Sequence, residues 1–267
     1  MTATRVTKHY PRAEDCRAAL GNYRYLTTLD IGARLPQLIS TGTHTLTFAC
    51  APGRHAEPGD LTRLAASLGD LHGAAYTTEL HAADLGSPFT TWGGLPLADF
   101  AAPRVAVLGQ RLEHGAVPDP AFDLDGAVRL LHGAKDGPAA LYKDANPRNF
   151  LVTSEQVTLV DFDDLTLAPF GYDLAKLVLT LAMTHSRIPD LDTAVAAYNN
   201  AANRHQVGIG RLTAAELLTW AEIHHILTSR YLGTNGYRYG WHTVRPRPHP
   251  DPGSRHGRRS EDPSRVR

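Results

Sequence analysis

The sequence predicts an α+β protein with two lobes, a short strand-rich one followed by a longer and mainly helical one. Strand-like runs within residues 4–50 enclose one helix-competent run at 13–29, a pattern that favours a small sheet carrying a single helix. Helical spacing of leucines then begins near Gly59. Three short apolar runs within residues 139–160 have charged residues at their ends, so we expect the chemistry of the protein there.

The first lobe is expected to span residues 1–57. Pro11 ends its first strand, because proline has no backbone N–H to donate. Ala-Pro-Gly at 51–53 breaks the pattern, so residues 51–57 are predicted to form the hinge between the lobes. The predicted elements are a strand at 4–10, a helix at 13–29, and paired strands at 36–41 and 44–50.

The second lobe is expected to span residues 58–242. Its stretch at 82–123 is rich in Gly, Pro and Ala and predicts one or two helices without clear bounds. Thr213 with Glu216 predicts a capping box at the start of the last helix. The other predicted elements are a helix at 124–131, strands at 139–142, 150–153 and 157–160, and closing helices at 172–183, 191–204 and 213–232. Residues 243–267 lack apolar content and are predicted to be disordered.

Composition limits the classes of partner. The 267 residues hold 27 Lys and Arg against 27 Asp and Glu, which argues against nucleic acid or a membrane as the main partner. Residues 243–267 carry a net charge of +4, so the first 242 residues are mildly acidic at −4. Cys16, Cys50 and the lack of a long apolar stretch predict a cytoplasmic protein without a disulfide framework. The 14 histidines are scattered without the ligand spacing of a zinc site.

The motif at residues 142–149 combines the residue types that phosphoryl transfer from ATP requires. That reaction needs one carboxylate to orient the acceptor hydroxyl and at least two oxygen ligands for magnesium. Asp144 stands five residues before Asn149 in YKDANPRN, so one loop can present both side chains to one site. Asp161 follows the next strand pair, in LVDFDD, and brings a third oxygen ligand to the same region.

These motifs, with GYDLAKL at the start of the following helix, resemble those of the aminoglycoside phosphotransferase and choline kinase family. The resemblance implies a protein-kinase-like fold with a shortened N-terminal lobe, and ATP and Mg²⁺ as cofactors. It implies that Asp144 is the catalytic base or hydroxyl-positioning group and that Asn149 and Asp161 are magnesium ligands. Asp163 or Asp164 would assist the second metal or the substrate.

Further roles follow from the same resemblance. Lys8 is the candidate contact to the ATP phosphates, and Asp173 ties its helix to the catalytic loop; the alternatives are a solvated edge-strand lysine and an N-cap carboxylate. Arg148 stands where a guanidinium could offset the charge of the transferring phosphate, or could only pair with a surface carboxylate. Tyr142 and Lys143 replace the His and Gly usual in the family, so the support of the loop is expected to differ.

The first lobe departs from the family pattern in two respects. The usual helix glutamate that pairs with the lysine is missing, since Glu14 lies too early in the helix. Only seven residues precede Lys8, too few for the glycine-rich strand pair that covers the phosphates. Either the coding sequence begins upstream of Met1, which we favour, or ATP is held under an open lid.

The sequence therefore predicts an ATP-dependent O-phosphotransferase acting on a hydroxylated small molecule. The mild acidity of the folded part suits a cationic acceptor, such as an aminoglycoside or amino alcohol, but selects none. The incomplete phosphate clamp leaves a kinase-like nucleotide-binding module with little or no turnover as the alternative. A magnesium-dependent phosphohydrolase ranks third, because such sites usually show denser acidic motifs.

Overall fold

The computed structural model of the chain describes residues 4–188, 190–206, 208 and 210–246. The elements of the N-terminal lobe are β1 (Arg5–His9), α1 (Ala13–Thr28), β2 (Leu38–Thr41) and β3 (Thr45–Ala49). The strands form an antiparallel sheet in the order β1-β3-β2. All four predicted elements of this lobe are confirmed.

Helix α1 packs on the sheet through the apolar stripe that its spacing predicts. Cys16, Ala19, Tyr23 and Leu26 are buried on this face. Tyr23 lies edge-on against Phe48 of β3, with ring centroids 5.3 Å apart. Such aromatic pairs contribute about 0.5–1.5 kcal/mol beyond the burial of their area, so this contact helps to fix the helix across the sheet.

The second half of the predicted hinge at 51–57 is bound to the C-terminal lobe. Strand β4 (Arg54–His55) pairs antiparallel with β8 (Phe150–Val152). Gly53 has a φ of 130°, and a Cβ atom there would lie 2.9 Å from the backbone nitrogen of Val152. Only glycine accepts both this conformation and this close approach.

The C-terminal lobe is mainly helical. Its helices are α2 (Leu61–Thr78), α3 (Ala102–Glu113), α4 (Leu124–Gly133), α5 (Tyr172–His185), α6 (Leu191–Asn203), α7 (Ala214–Thr228) and the short α8 (Trp241–Val244). The predicted capping box of Thr213 and Glu216 is present at the start of α7. The predicted helix at 213–232 ends earlier, at Thr228, and continues as a 3-10 turn at Ser229–Tyr231. Within the uncertain stretch at 82–123, α3 is the α-helix.

Two glycines allow α2 and α6 to pack closely. A Cβ atom at Gly69 would overlap the backbone oxygen of Tyr198, and one at Gly73 would lie 2.7 Å from the backbone oxygen of Ala202. Between these glycines, Nδ1 of His72 lies 2.7 Å from the Tyr198 hydroxyl. The LGDLHG segment is therefore a packing motif, and His72 is a buried residue within it.

Short strands position the loops that carry the charged motifs. They are β5 (Phe89–Thr90), β6 (Pro96–Leu97), β7 (Ala139–Tyr142), β9 (Val157–Leu159) and β10 (Thr166–Pro169). Strand β8 pairs with β4 and β9, whereas β7 pairs with β10. The sequence did not predict β10, because this four-residue run ends in proline and its partner strand lies far back in the chain.

The tail at 243–267 is predicted to be disordered, and its residues 247–267 lie outside the described part of the chain. Its first residues are described, and the prediction is wrong for them, since α8 extends to Val244. Arg245 pairs with Asp119 at 2.5 Å and with Glu222 at 3.1 Å. These partners lie far back in the chain, so composition alone could not indicate the order. No helix among the described residues is long and apolar enough to cross a membrane.

We predict that Gly69→Ala destabilises the fold, because the added methyl group forces α2 away from α6. Overpacking of this kind costs about 1–3 kcal/mol. The matched control is Gly133→Ala in α4, where a Cβ atom meets nothing within 4 Å; it should be neutral or stabilising by up to about 1 kcal/mol. Urea unfolding of both variants measures the difference, and equal stabilities would contradict the role given to Gly69.

Candidate active site

Two clefts are lined by the predicted site residues. The first, which we call the interlobe cleft, has a volume of about 300 Å³ and is lined among others by Val6, Lys8, Leu46, Phe48, Asp161 and Phe162. The second, which we call the C-lobe pocket, has a volume of about 420 Å³ and is lined among others by Arg104, Tyr142, Asp144, Asp164, Tyr172 and Lys176. Asp144 therefore lines the second cleft, whereas Lys8 and Asp161 line the first.

The predicted catalytic loop, residues 143–149, is held by its own side chains and by residues 51–57, the linker between the lobes. Asp144 adopts a left-handed backbone conformation with a φ of 58°. The Asn149 amide donates to the backbone carbonyl of Asp144 at 2.9 Å, and the Asn146 amide donates to its carboxylate at 3.2 Å. The backbone N–H of Ala56 donates to the carbonyl of Pro147 at 3.1 Å. The loop is thus fixed from within and from the linker.

The carboxylate of Asp144 faces the C-lobe pocket. The Tyr142 hydroxyl donates to its Oδ1 at 2.8 Å, and Nζ of Lys176 lies 3.5 Å from the same oxygen. Burial alone would raise the pKa of Asp144, but the Lys176 charge and the Tyr142 hydroxyl lower it below its usual value. The carboxylate is therefore ionised at neutral pH. Tyr142 supports it with a neutral donor in place of the usual histidine.

Lys176 is a site residue that the sequence motifs do not single out. It is 8% exposed and also donates to Oγ1 of Thr228 at 2.9 Å. It follows Asp173 by three residues in GYDLAKL, so both side chains lie on one face of α5. Its spacing within that motif is the signal that could have identified it.

Asp173 binds the catalytic loop from the first turn of α5. Its carboxylate oxygens accept hydrogen bonds from the backbone N–H groups of Lys143 at 3.2 Å and Ala145 at 2.7 Å. Burial raises the pKa of Asp173 to about 6. The N-cap position of α5 is occupied by Gly171. Asp173 therefore links α5 to the loop by hydrogen bonds, and it is not the N-cap residue of the helix.

Lys143 stands where the family has glycine, and it is only 1% exposed. Its Nζ lies 3.5 Å from the carbonyl oxygen of Val160 and 5.1 Å from the centre of the Phe150 ring. Burial lowers the pKa of Lys143, while Asp173 and neighbouring carboxylates act in the opposite direction. The loop thus carries a buried amine that the family pattern lacks.

Lys8 of β1 reaches across the interlobe cleft to two carboxylates that follow β9. Its Nζ lies 2.5 Å from Oδ1 of Asp161 and 2.6 Å from Oδ2 of Asp163. Burial alone would lower the pKa of Lys8, but the hydrogen bonds and charges of these carboxylates raise it. Lys8 is therefore paired with two carboxylates, while 35% of its side chain remains exposed on the edge strand β1.

Asp163 and Asp164 are adjacent in the chain but have different neighbours. The Tyr10 hydroxyl donates to Oδ1 of Asp163 at 3.1 Å, next to Lys8. Asp164 lines the C-lobe pocket. Burial raises the pKa of Asp164, and the charge of Asp144 adds to the effect. Asp163 therefore lies beside Lys8, whereas Asp164 lies in the pocket that Asp144 also lines.

Asn22 takes the place of the missing helix glutamate. It is buried on α1, and its amide donates to the backbone carbonyls of Phe162 at 2.7 Å and Asp163 at 3.1 Å. The α1 carboxylates, Glu14 and Asp15, pair instead with arginines at the exposed start of the helix. The helix therefore holds the VDFDD loop by its backbone, without an ion pair to the lysine. The one sign of this contact in the sequence is that Asn22 is a polar residue on the apolar face of α1.

Arg148 lines the C-lobe pocket at an exposed position. Its Nη1 donates to the backbone carbonyl of Asn235 at 2.8 Å, and its guanidinium lies 5.6 Å from the centre of the Tyr237 ring. Among the described residues its hydrogen-bond partner is this neutral carbonyl, and no carboxylate lies within 4.0 Å of it. The guanidinium charge stays available to the pocket.

The residues predicted to hold magnesium lie side by side. The backbone N–H of Val160, next to Asp161, donates to the backbone carbonyl of Asn149 at 3.0 Å. Asp161 and Asp163 then converge on the positive charge of Lys8. Among the described residues, no group of three or more His, Cys, Asp or Glu could hold a metal ion. An oxygen-only set of one amide and two carboxylates suits Mg²⁺, which binds few protein ligands and substrate phosphates.

The two-lobed fold is a protein-kinase-like fold of the kind that small-molecule phosphotransferases have. The model of the family described as "phosphotransferase enzyme family" matches residues 2–217, so the chain belongs to that family. The resemblance to aminoglycoside phosphotransferases and choline kinases stated above is thereby confirmed. Comparison with curated protein sequences gave no significant match.

Solved structures support the fold assignment. The macrolide 2'-phosphotransferase of Brachybacterium faecium is 15% identical with a TM-score of 0.51, over 93% of this chain and 86% of that chain. A microcompartment-associated aminopropanol kinase is 16% identical with a TM-score of 0.50, over 84% of this chain and 74% of that chain. At these identities the likeness shows the fold alone.

We predict that Asp173→Asn lowers the turnover number of the enzyme by up to about 100-fold, because an amide cannot accept from both loop N–H groups and the loop shifts. Asp192→Asn, at an exposed position on α6, is the matched control and should leave turnover unchanged. Steady-state kinetics, with circular dichroism to check folding, give the comparison. Equal turnover in both variants would contradict the role of Asp173 in holding the loop.

Proposed function

We propose that the protein is an ATP-dependent O-phosphotransferase that transfers phosphate to a hydroxyl group of a small molecule in the C-lobe pocket. The observation that carries this proposal is the position of Asp144. Its ionised carboxylate lines the C-lobe pocket. Asn149 of the same loop accepts a backbone hydrogen bond from Val160, which lines the interlobe cleft together with Asp161. The loop thus lies between the proposed acceptor pocket and the wall of the proposed nucleotide cleft.

The interlobe cleft has the chemistry that a nucleotide needs. Leu46, Phe48 and Phe162 offer apolar surface to a base. Lys8, held between Asp161 and Asp163, offers a positive charge to the phosphates. We propose that Lys8 exchanges these carboxylates for phosphate oxygens when ATP binds, which frees both carboxylates to bind metal.

Asn149, Asp161 and Asp163 would hold Mg²⁺. The bound metal neutralises phosphate charge and aligns the phosphates for transfer. Asp144 accepts a hydrogen bond from the acceptor hydroxyl and orients its oxygen toward the phosphate. Arg148, whose described partners are a carbonyl and an aromatic ring, offsets negative charge that develops on the transferring group.

Asp144→Asn tests the proposal directly. We expect acceptor-dependent ADP formation to fall by about 10² to 10⁴, because loss of a positioned base typically costs this factor. The matched control is Glu155→Gln, which also removes one negative charge but lies exposed in the turn after β8. The assay couples ADP release to a panel of hydroxylated metabolites and aminoglycosides, with the phosphorylated product identified by mass spectrometry.

The outcomes separate the rival functions. Unchanged activity in Asp144→Asn would overturn the role of this residue. Nucleotide binding without acceptor-dependent ADP formation would favour the binding module. ADP formation that is equally fast with and without an acceptor would favour a phosphohydrolase.

Asp161→Asn provides a second test, directed at the metal. We expect the Mg²⁺ concentration for half-maximal activity to rise by at least about tenfold, since even supporting residues of metal sites cost 10- to 100-fold in affinity. EDTA should abolish turnover and added Mg²⁺ should restore it. An unchanged Mg²⁺ dependence in Asp161→Asn would rule out this residue as a ligand.

A further inference from the structure

The C-lobe pocket is locally basic, although the chain as a whole is neutral. Four basic and two acidic side chains line it, which leaves a net charge of +2. His224 also lines the pocket, but burial lowers its pKa well below the usual value, so it is neutral there. The charged residues of the lining are Arg104, Arg148, Lys176, Arg230, Asp144 and Asp164.

Arg104 of α3 is the most informative of these residues. It is only 8% exposed. Its guanidinium donates to the Phe100 carbonyl at 2.6 Å, to the Tyr172 hydroxyl at 3.1 Å and to Oγ1 of Thr166 at 3.2 Å. All of these acceptors are neutral, and no carboxylate of the described residues lies within 4.0 Å of it. Buried guanidinium groups are normally paired with an anion, so this charge lacks its usual partner.

Aromatic rings hold the Arg104 guanidinium in a fixed plane beside the pocket. Its central carbon lies 4.6 Å from the ring centre of Phe100, 4.9 Å from that of Tyr172 and 5.1 Å from that of Tyr142. Tyr142 in turn donates to Asp144. One tyrosine side chain thus separates the unpaired positive charge from the carboxylate that orients the hydroxyl.

The other arginines of the pocket also lack carboxylate partners among the described residues. Arg148 donates to a carbonyl, and Arg230 lies 4.7 Å over the ring centre of Tyr231. Only Lys176 faces a carboxylate, that of Asp144. A planar guanidinium binds carboxylate and phosphate oxygens in pairs, which an ammonium cannot do.

We propose that the acceptor is a small hydroxylated anion, whose carboxylate or phosphate group binds Arg104 while its hydroxyl group binds Asp144. This inference rests on the proposed phosphotransferase function. It replaces the cationic acceptor expected from the net charge of residues 1–242, because the field that a substrate meets is that of the pocket lining. A polycationic acceptor would have to enter a pocket of its own charge.

Matched acceptors test the proposal. The three-carbon set consists of glycerate, glycerol phosphate, glycerol and serinol, and the six-carbon set consists of gluconate, sorbitol and glucosamine. We expect kcat/KM for an anionic member to exceed that for the neutral and ammonium members of its set by at least about tenfold. The three-carbon set also distinguishes a carboxylate from a phosphate as the preferred group. Preference for the neutral or ammonium members would overturn the proposal.

Variants show whether the arginines cause the preference. Arg104→Gln and Arg230→Gln should raise KM for the anionic acceptors about tenfold or more, and leave KM for the neutral acceptors unchanged. A purely structural role would instead lower activity toward all acceptors alike. Arg230 is exposed, so its variant remains informative if Arg104→Gln folds poorly. Arg129→Gln, exposed on α4 and outside the pocket, is the matched control.

Calorimetric titration of glycerate, glycerol phosphate and glycerol into the full chain without ATP gives a readout besides activity. Anion binding that is lost in Arg104→Gln and weakened in Arg230→Gln, without any phosphate transfer, would support the anion site of this inference and overturn the proposed function. Phosphate transfer to neutral or cationic acceptors alone would support the proposed phosphotransferase function and overturn the inference of an anionic acceptor. Absence of both binding and transfer for every anion would overturn the inference.

Discussion

The buried carboxylate of Asp173 is the contact on which the active site depends. It receives the two backbone N–H groups that flank Asp144 in the chain, and so holds the loop where Asp144 takes a left-handed conformation. Because Asp173 belongs to α5, which packs against α7 in the core of the C-terminal lobe, the position of the loop is determined by helix packing. The helix packing that stabilises the lobe therefore also fixes the position of Asp144.

Around this loop, charge is arranged in two opposite fields. On the side of the interlobe cleft, carboxylates gather about a single lysine, which suits a metal with its phosphates. On the side of the C-lobe pocket, guanidinium groups outnumber carboxylates. Equal totals of acidic and basic residues conceal this division, so a whole-chain charge balance carries no information on which molecules the clefts accept.

The parts of the molecule that the sequence predicted are those encoded locally. Helical stripes, the capping box at Thr213 and the D-x-x-x-x-N spacing from Asp144 to Asn149 each depend on residues a few positions apart. The residues that it missed act across long separations. Asn22 binds backbone some 140 positions later, and Arg104 binds Tyr172 and Thr166. Strand β10 likewise exists only because β7 is beside it. Such contacts leave no periodic pattern, since the fold alone brings the partners together.

The strand β4 in the linker changes how the two lobes can move. Residues 54–56 are hydrogen-bonded to β8 and to the catalytic loop, so they travel with the C-terminal lobe. Arg34, in the loop between α1 and β2, also exchanges two backbone hydrogen bonds with β9, at 2.9 and 2.8 Å. The sheet lobe is therefore bound through its backbone to the C-terminal lobe at two separate places, and rotation of the whole lobe would have to break one of them. Filling of the interlobe cleft is then expected to move side chains such as Lys8, while the angle between the lobes changes little.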